Sequence, residues 1–493
     1  MAEAFQQLVL DGDGQSSTFT LTGSTLQVQR PVGRKGPQIQ FETPLRQVLW
    51  AELSEDNTFN VSFLNKKKKK KGSLSLIHIT GPIKDNEREN VADFVKALMD
   101  SSYQGVSQRR RLMLLVNPRS GPGKARSIYM KKIEPLFRAA RCEVDLTYTT
   151  HSKHATELAR SLAVGHYDAI VTMSGDGLIY EVLNGLAEHA SPIQALQTPI
   201  TPIPTGSGNG LAYNLLGLHE GGDVSAAALN AIKGKPMPID LFSVTQNGQR
   251  TLSFMSQCIG LMAELDLGTE HLRFMGNHRF VYGFVRGIAR NRACPVKLQI
   301  KVAESDKKAM FQSFKETRAR AISNSSPQLV EDSTADGNSE TNGNANAKDS
   351  TSLPSLRFHE EDPVNDEGWI TFDKPVSYIY AGKGPFVSRD FMQFPVSLPN
   401  DGCIDVVVQE VAPRSQMLSA MDGAEKGIPY WKLESQHYFK AKAYRVVPHT
   451  SASCLSIDGE KYPFEPYALE VHPGLGALLS PYGTYHTDFD ALS

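Results

Sequence analysis

The chain has 493 residues, and its 52 lysines and arginines against 53 aspartates and glutamates leave a formal net charge of -1. This length predicts roughly three structural units, and the balanced charge argues against general nucleic-acid binding. No run approaches the roughly 18 apolar residues that a membrane-spanning helix needs. The five cysteines are scattered, without a C-x-x-C pair or a Cys/His cluster, which predicts reduced thiols in a cytoplasmic protein.

Residues 1–108 predict a small β-rich module. The short runs FTLTG, LQVQR, QVLWAEL, FNVSFLN and SLSLIHIT are separated by turn-forming residues and have the pattern of antiparallel strands. The segment NERENVADFVKALMDSS then places Val91, Phe94, Val95 and Leu98 on one helical face. Strands closed by one C-terminal helix resemble a pleckstrin-homology-like module, although another small β-domain would give the same pattern.

Six consecutive lysines, Lys66 to Lys71, stand between two predicted strands of this module. Either the run is a solvated hairpin loop, or it contacts an anionic membrane surface. Near an acidic leaflet each lysine would contribute roughly 1 kcal/mol, and less with distance and salt. That amount predicts peripheral recruitment to a membrane rather than permanent anchoring.

Residues 109–240 alternate between strand-like and helix-like runs. RRLMLLVNP, CEVDLTYT, AIVTM and ITPIP have the composition of buried strands, and the segments between them carry apolar residues at helical spacing. Such alternation predicts an α/β lobe with a parallel sheet covered by helices. Right-handed crossovers then place the carboxyl ends of the strands along one edge, where ligands bind.

Residues 241–482 predict a second, β-rich lobe of mainly antiparallel strands. LSFMSQCIG, KLQIKVA, VSYIYAG and CIDVVVQEV carry this pattern, and the last strand either stays in this lobe or returns to the first. Residues 323–353 interrupt the lobe with almost no large apolar side chains. Such a segment buries too little surface to offset its ordering entropy, so we expect a disordered insertion.

Three glycine-rich stretches follow predicted strands of the α/β lobe: VNPRSGPGKA (116–125), SGDG (174–177) and PTGSGNGLA (204–212). Glycine lets backbone N–H groups approach a phosphate, and the start of a helix adds favourable partial charge. Structural turns also use glycine, but three such stretches at one sheet edge predict a nucleotide or phosphate site. Neither the Walker loop nor the complete Rossmann fingerprint is present.

Asp176 stands between Gly175 and Gly177, directly after a predicted strand and before a helical pattern. Phosphoryl transfer consists mainly of positioning and charge neutralisation, together with one group that orients the attacking oxygen. Asp176 would accept the proton of an acceptor hydroxyl. It would equally suit the N-cap of the helix that begins near Leu178, a position that favours aspartate.

Together these stretches resemble the catalytic region of the diacylglycerol kinase superfamily, and more closely that of the sphingosine (sphingoid long-chain base) kinases. SGDGL and GSGNG stand where diacylglycerol kinases usually have GGDGT and GTGND, which favours the sphingosine branch. The resemblance spans roughly residues 109–480, without the insertion. It implies an α/β nucleotide-binding lobe and an antiparallel β-sandwich lobe, with ATP, Mg²⁺ and a lipid substrate in the cleft between them.

The resemblance also implies roles for individual residues. Asp176 would act as the base, and Glu181 would support Asp176 or the metal arrangement, while the metal ligands stay unassigned. The residues expected to bind the nucleotide are Asn117, Thr149, Ser174, Gly175, Gly206, Ser207, Gly208, Asn209, Arg273, Arg279, Asp458, Gly459 and Glu460. Arg273 and Arg279 suit phosphate because a guanidinium donates in pairs, although both are also compatible with the surface of a helix.

The lipid substrate is expected in the second lobe. Asp266 would meet the amine and hydroxyl of a sphingoid head group, because a carboxylate suits a cationic amine; the alternative is another helix cap. The stretch FVYGFVRGIARNRACPV mixes apolar residues with arginines. It predicts an amphipathic helix that covers a lipid tunnel, contacts an anionic membrane or packs on its own sheet.

The predicted function is transfer of the γ-phosphate of ATP to the primary hydroxyl of sphingosine or a related sphingoid base, at the cytosolic face of membranes. Ceramide and diacylglycerol kinases are the nearest alternatives, and Asp266 argues against both because neither lipid has a free amine. An inactive lipid-sensing scaffold is the non-enzymatic alternative, which the intact Asp176, Glu181, Ser207 and Asn209 disfavour. The sequence does not specify the oligomeric state.

Overall fold

The computed structural model describes residues 6–12, 15–31, 37–66, 73–269, 272, 278–290, 292–325, 352–358, 368–372, 374–450 and 453–490. Most of the lysine run, most of the insertion expected at 323–353, and Arg273 lie outside these residues. Within the described part of the chain, no helix combines the length and the apolar composition needed to cross a membrane.

The N-terminal module consists of two antiparallel sheets and one helix. Its elements are β1 (Gln6–Gly12), β2 (Gln15–Leu21), β3 (Thr25–Pro31), β4 (Pro37–Pro44), β5 (Val48–Leu53), β6 (Thr58–Lys66), β7 (Leu74–Pro82) and α1 (Arg88–Ser102). Strands β1–β4 form one meander and β5–β7 a second. Val91, Phe94 and Leu98 of α1 pack with apolar residues of both sheets. The β-rich N-terminus expected from the sequence is confirmed.

A parallel sheet with flanking helices follows. Its elements are β8 (Arg111–Val116), α2 (Ala125–Ile128), α3 (Glu134–Ala139), β9 (Glu143–Tyr148), α4 (His154–Arg160), β10 (Ala169–Ser174), α5 (Asp176–Ala187), α6 (Pro192–Leu196), β11 (Ile200–Pro204), α7 (Gly210–Glu220) and α8 (Val224–Lys233). A π-helical segment joins α2 to α3. The strands pair in the order β11–β10–β8–β9, all parallel. Their carboxyl ends therefore share one edge.

The remainder is mainly antiparallel. Its elements are β12 (Lys235–Gln246), β13 (Gln249–Ser253), β14 (Ser256–Gly260), α9 (Leu261–Gly268), α10 (His278–Arg290), β15 (Val296–Glu304), α11 (Lys307–Ser325), β16 (Trp369–Phe372), β17 (Val376–Gly382), β18 (Phe386–Ser388), β19 (Phe391–Met392), β20 (Ile404–Glu410), α12 (Arg414–Ser419), α13 (Ile428–Lys432), β21 (Gln436–Pro448), β22 (Leu455–Ile457), β23 (Glu460–Tyr462) and β24 (Tyr467–Ser480). Alternating residues serve two cores, because successive side chains of a strand point to opposite faces. Ile379 and Val406 belong to one core, and Tyr378 and Val407 to the other, which includes the helices.

The last strand, β24, pairs with strands on both sides of this division. It is antiparallel to β12 and β21, and Leu478 near its end pairs in parallel with Ile200 of β11. One sheet therefore continues from the antiparallel strands into the parallel ones. This continuity fixes the two sets of strands relative to each other through backbone hydrogen bonds.

The N-terminal module packs against the α/β lobe around a buried lysine. Lys233, the last residue of α8, is 5% exposed, and its ammonium donates to the carbonyl oxygens of Val48 and Ser102. The same ammonium lies 3.9 Å from the ring centroid of Tyr103. Burial holds the pKa of Lys233 well below its ordinary value. Leu49 of the module is part of the core of the α/β lobe, so the two form one packed unit.

Candidate active site

The three glycine-rich loops meet at the carboxyl edge of β8, β10 and β11. The backbone N–H of Asn117 donates to the carbonyl oxygen of Met173 at 3.1 Å. A Cβ atom at Gly175 would overlap the carbonyl oxygen of Gly208, and one at Gly206 would overlap the backbone of Gly175. The loops thus pack backbone against backbone, which requires glycine at these two positions.

Asp176 is the buried carboxylate among these loops. It is 8% exposed, and its oxygens accept hydrogen bonds from the backbone N–H groups of Gly210 (2.7 Å) and Leu211 (3.2 Å). Burial raises the pKa of Asp176 to about 6, although the two hydrogen bonds lower it. The carboxylate therefore lies at the N-terminus of α7. Its alternative role as the N-cap of its own helix is wrong, because Gly175 occupies the N-cap of α5.

The loop between β11 and α7 is braced by its own asparagine. Oδ1 of Asn209 accepts from the N–H of Gly206 at 3.2 Å, and Nδ2 of Asn209 donates to the carbonyl oxygen of the same residue at 2.8 Å. Ser207 and Gly208 lie within the loop that these two bonds close. The amide side chain of Asn209 therefore shapes the predicted phosphate loop.

Three more of the predicted nucleotide residues lie at the same edge. Oδ1 of Asn117 accepts from the backbone N–H of Arg119 at 3.0 Å. The backbone N–H of Thr149 donates to the carbonyl oxygen of Val116 at 2.9 Å, so the loop after β9 begins beside the loop after β8. The hydroxyl of Ser174 donates to another hydroxyl in the first glycine-rich loop at 3.3 Å.

Glu181 faces a different partner from the one that the sequence suggests. Its Oε2 atom accepts from the backbone N–H of Ala155 at 3.3 Å, and its carbonyl oxygen accepts from the hydroxyl of Thr156 at 3.0 Å. Five residues of helix separate Glu181 from Asp176, a rotation of about 140°. Glu181 therefore anchors the start of α4, next to the loop that holds Thr149.

The turn between β22 and β23 reaches the start of α5. Asp458 is buried and accepts backbone N–H bonds from Phe254 (3.0 Å), Met255 (3.0 Å) and Ser256 (2.7 Å). Burial raises the pKa of Asp458 to about 6, against these bonds.

The two residues after Asp458 complete this turn. Gly459 has a φ of 86°, a left-handed conformation that favours glycine. The Oε1 atom of Glu460 lies 3.5 Å from the position that a Cβ would take at Gly177. Of these three residues, Glu460 thus reaches the start of the helix that begins at Asp176.

Asp266 borders a cavity of about 260 Å³. Its Oδ2 atom accepts a hydrogen bond from the hydroxyl of Ser456 at 2.7 Å, two residues before Asp458. Most of the cavity wall is apolar or aromatic, with contributions from α9, α10, β17 and the short β18–β19 hairpin. At the hairpin, the carbonyl oxygen of Val387 lies 3.0 Å from the position that a Cβ would take at Gly210. The cavity wall therefore borders the residue that binds Asp176.

None of the contacts described above involves the two arginines that the resemblance predicts to bind phosphate. Arg273 lies outside the described residues, and Arg279 lies in α10. Sequence reasoning missed the β18–β19 hairpin and Ser456. Ser456 stands two residues before the predicted Asp458, so in a strand the two side chains share one face, which is the one signal that marked it.

No group of three or more histidine, cysteine, aspartate or glutamate side chains suited to a metal ion occurs within the part of the chain that the structure describes. Mg²⁺ is usually held by one or two carboxylates together with substrate phosphates. Glu460 and Asp176 are carboxylates beside the glycine-rich loops, and both oxygens of Asp176, like both oxygens of Asp458, already accept backbone hydrogen bonds.

Comparison with known proteins gives two family matches. Residues 111–244 match the diacylglycerol kinase catalytic domain, and residues 9–104 match a domain of unknown function (DUF7493). The chain is 30% identical over 471 residues to sphingoid long chain base kinase 4 of Schizosaccharomyces pombe, covering 94% of this chain and 93% of that protein. It is 31% identical over 441 residues to sphingoid long chain base kinase 5 of Saccharomyces cerevisiae, covering 81% of this chain and 64% of that protein.

Among solved structures, a diacylglycerol kinase from Bacillus anthracis str. Sterne covers 76% of this chain and 98% of its own, with 16% identity and a TM-score of 0.46.

The packing of the loops predicts the effect of adding one methyl group. In Gly206→Ala the new Cβ would overlap the backbone of Gly175, so the loops must separate. We expect a loss of stability of about 1–3 kcal/mol and at least tenfold weaker ATP binding. Thermal melting and ATP titration measure both effects. Gly268→Ala is the matched control, since nothing lies within 4 Å of its Cβ position; equal behaviour of the two variants would contradict the prediction.

Proposed function

This chain belongs to the sphingoid long-chain base kinase family, and from that membership we propose that it transfers the γ-phosphate of ATP to the primary hydroxyl of sphingosine or a related sphingoid base. As a member, it is an ATP-dependent lipid kinase. The observation that carries the proposal is the position of Asp176. This buried carboxylate lies among the glycine-rich loops and accepts a hydrogen bond from Gly210, which in turn lies beside the wall of an apolar cavity.

Asp176 would act as the general base. A carboxylate with a pKa raised to about 6 is still ionised at neutral pH and accepts a proton more readily than an ordinary aspartate does. The N–H groups of Gly210 and Leu211 hold it in place, so it needs no rearrangement before the acceptor hydroxyl arrives. The proton would go from that hydroxyl to Asp176 as the oxygen attacks the γ-phosphorus, while the bond from the γ-phosphorus to the bridging oxygen breaks and ADP leaves.

ATP would bind along the carboxyl edge of the parallel sheet. The backbone of Gly206–Asn209 and the N-terminus of α7 offer N–H groups and favourable partial charge to phosphate. Asn117, Thr149 and Ser174 would line the rest of the nucleotide site, with Arg273 and Arg279 added from the family resemblance. Bound Mg²⁺ would neutralise phosphate charge, and Glu460, beside the start of α5, would be the carboxylate that shares it.

The lipid would occupy the cavity beside Asp266. Its apolar and aromatic walls suit an acyl-type chain, and the carboxylate of Asp266 suits the ammonium of a sphingoid base. Ceramide and diacylglycerol offer no ammonium, so neither would form this ion pair. The cavity therefore supports a free-amine lipid over both alternatives.

We also infer the domain organisation that the sequence suggested. Residues 1–108 would be a pleckstrin-homology-like module, supported by its four-stranded and three-stranded sheets and the helix that follows them. Residues 109–240 would bind ATP, and residues 241–482 would form the β-sandwich lobe that binds the lipid. The last strand would complete the sheet of the ATP-binding lobe, as the pairing of β24 with β11 supports.

Peripheral binding to anionic membranes is proposed through α10. Val281, Tyr282 and Val285 expose about half of their surfaces, at 47%, 51% and 44%, while Phe284 on the same helix packs inward. Arg286 is exposed beside them. An exposed apolar stripe next to basic residues is typical of helices that lie in a membrane interface, and a single-chain lipid must be taken from a bilayer.

The function is tested with Asp176→Asn. We expect the purified protein with Mg²⁺ and γ-labelled ATP to label sphingosine and phytosphingosine in mixed micelles, but not ceramide or diacylglycerol. Asp176→Asn should lower kcat by about 10²- to 10⁴-fold, because the amide cannot accept the proton, while ATP binding remains. Label on ceramide or diacylglycerol would reject the assigned substrate, and full activity of the variant would reject the assigned base.

The raised pKa of Asp176 predicts a pH profile. Since the base must be ionised, kcat/KM should rise about tenfold per pH unit below pH 6 and level off above pH 7. An ordinary aspartate, with a pKa near 4, would give a flat profile over the same range. Initial rates between pH 5 and pH 8, with thermal melting at each pH to confirm folding, distinguish the two.

The membrane proposal predicts the behaviour of α10 variants. Tyr282→Ser with Val285→Ser should lower binding to vesicles of phosphatidylcholine with phosphatidylserine at least tenfold in a flotation assay, because the apolar contact is lost. Val164→Ser is the control, as Val164 is also exposed, at 39%, but lies in the α/β lobe. Unchanged flotation of the double variant would reject this surface as the membrane contact.

A further inference from the structure

The β18–β19 hairpin forms one wall of the lipid cavity and stands apart from the large sheet. Its two strands pair with each other as a two-stranded sheet of their own. Val387, Ser388 and Phe391 of this hairpin line the cavity. Because its backbone pairing is internal, the hairpin takes its position relative to Asp176 from contacts other than sheet ladders.

A buried asparagine joins this hairpin to the helix that holds the base. Asn214, in α7, is 1% exposed. Its Nδ2 atom donates to the carbonyl oxygen of Phe386 at 3.0 Å, and its Oδ1 atom accepts from the backbone N–H of Phe386 at 2.7 Å. The side-chain amide thus pairs with the backbone of Phe386 in the way that a neighbouring strand would.

The hairpin contacts α7 at two places that lie one helical turn apart. Asn214 follows Gly210 by four residues, so the two share a face of α7. The carbonyl oxygen of Val387, the residue after Phe386, lies 3.0 Å from the position that a Cβ would take at Gly210. Gly210 also donates to Asp176. One turn of helix therefore holds both the base and the cavity wall.

Both sides of this contact are themselves held in place. The carbonyl oxygen of Asn214 accepts from the backbone N–H of His486 at 2.8 Å, which ties it to the C-terminal segment. On the hairpin side, Gly384 has a φ of 91°, and its N–H donates to the hydroxyl of Ser397 at 2.9 Å. A Cβ at Gly384 would overlap Nδ2 of Asn214, so glycine at this position leaves room for the amide.

Phosphoryl transfer requires the acceptor hydroxyl to be aligned with the base and the γ-phosphorus, and a misplacement of about 1 Å can cost about 10²-fold in rate. We propose that Asn214 is a positioning residue, which fixes the hairpin wall of the lipid cavity relative to Asp176 and so sets the alignment of the acceptor hydroxyl. It acts through the backbone of Phe386 rather than on the reacting atoms. The inference rests on the proposed function and refines it.

Asn214→Ala tests this role, with rates expressed per ATP-binding site as counted by ATP titration. We expect kcat for sphinganine to fall about 10- to 100-fold, with KM for sphinganine and Kd for ATP changed less than about threefold, since the apolar walls and the nucleotide loops remain. A merely structural defect would lower the number of ATP-binding sites, which the normalisation removes, and would leave kcat per site unchanged.

Gly384→Ala disturbs the same contact from the hairpin side while keeping Asn214. Its new Cβ would displace the amide, so the variant should reproduce the fall in kcat. It also keeps the inference testable if Asn214→Ala does not fold.

Asn230→Ala is the matched control. Asn230 is also 1% exposed, and its Nδ2 atom donates to the hydroxyl of Thr201 at 3.0 Å and to the carbonyl oxygen of Leu479 at 2.8 Å. Its loss therefore removes similar buried hydrogen bonds, but between α8 and strands β11 and β24. We expect a lower melting temperature with wild-type kcat per ATP-binding site.

Wild-type kcat in either Asn214→Ala or Gly384→Ala would overturn the inference. An equal fall of kcat in Asn230→Ala would also overturn it, because any loss of buried hydrogen bonds would then have the same effect. If the wild-type enzyme phosphorylates no sphingoid base, the proposed function itself fails, and the inference with it.

Discussion

The hydrogen bonds from the backbone of Gly210 and Leu211 to Asp176 hold the site together. They join the turn after one strand of the parallel sheet to the helix after the next strand, and they stabilise a carboxylate that burial would otherwise disfavour. The adjacent loops can pack around this contact because Gly175 and Gly206 have no Cβ atom, and a Cβ atom at either position would overlap the neighbouring backbone. The same helix holds the β18–β19 hairpin through Asn214, so α7 positions both Asp176 and one wall of the cavity.

The turn between β22 and β23 uses the same arrangement, a buried carboxylate held by backbone N–H groups. Ser456, Asp458 and Glu460 occupy alternate positions along one small hairpin, and each reaches a different element: Asp266, the β13–β14 backbone and the start of α5. Like Asp176, Asp458 is a buried carboxylate held by backbone N–H groups. Asp266 and the start of α5 are therefore both contacted by the same five residues of chain, 456–460.

A buried network of charges surrounds Lys383, which stands three residues before the β18–β19 hairpin begins. Lys383 contacts Asp240 and Asp401, and Lys440 contacts Asp401 and Asp405, with both lysines almost fully buried. Burial alone would lower the pKa of Lys383, but the three carboxylates raise it above its ordinary value. Such networks contribute little net stability, yet losing one partner is costly. The network therefore fixes the chain just before the hairpin, in a position that tolerates little change.

The sequence by itself determined the parallel and antiparallel regions, the three glycine-rich loops, the family and the choice of Asp176, because strand alternation and glycine spacing are local patterns. Only the tertiary structure decided that Asp176 caps α7, that Glu181 binds the start of α4, and that Asp390 borders the cavity. The donors to Asp176 and Glu181 are backbone N–H groups, which almost every residue has and no side-chain pattern marks. The cavity is lined by residues from two separate stretches, 262–284 and 380–430, so its lining comes together only once the chain has folded.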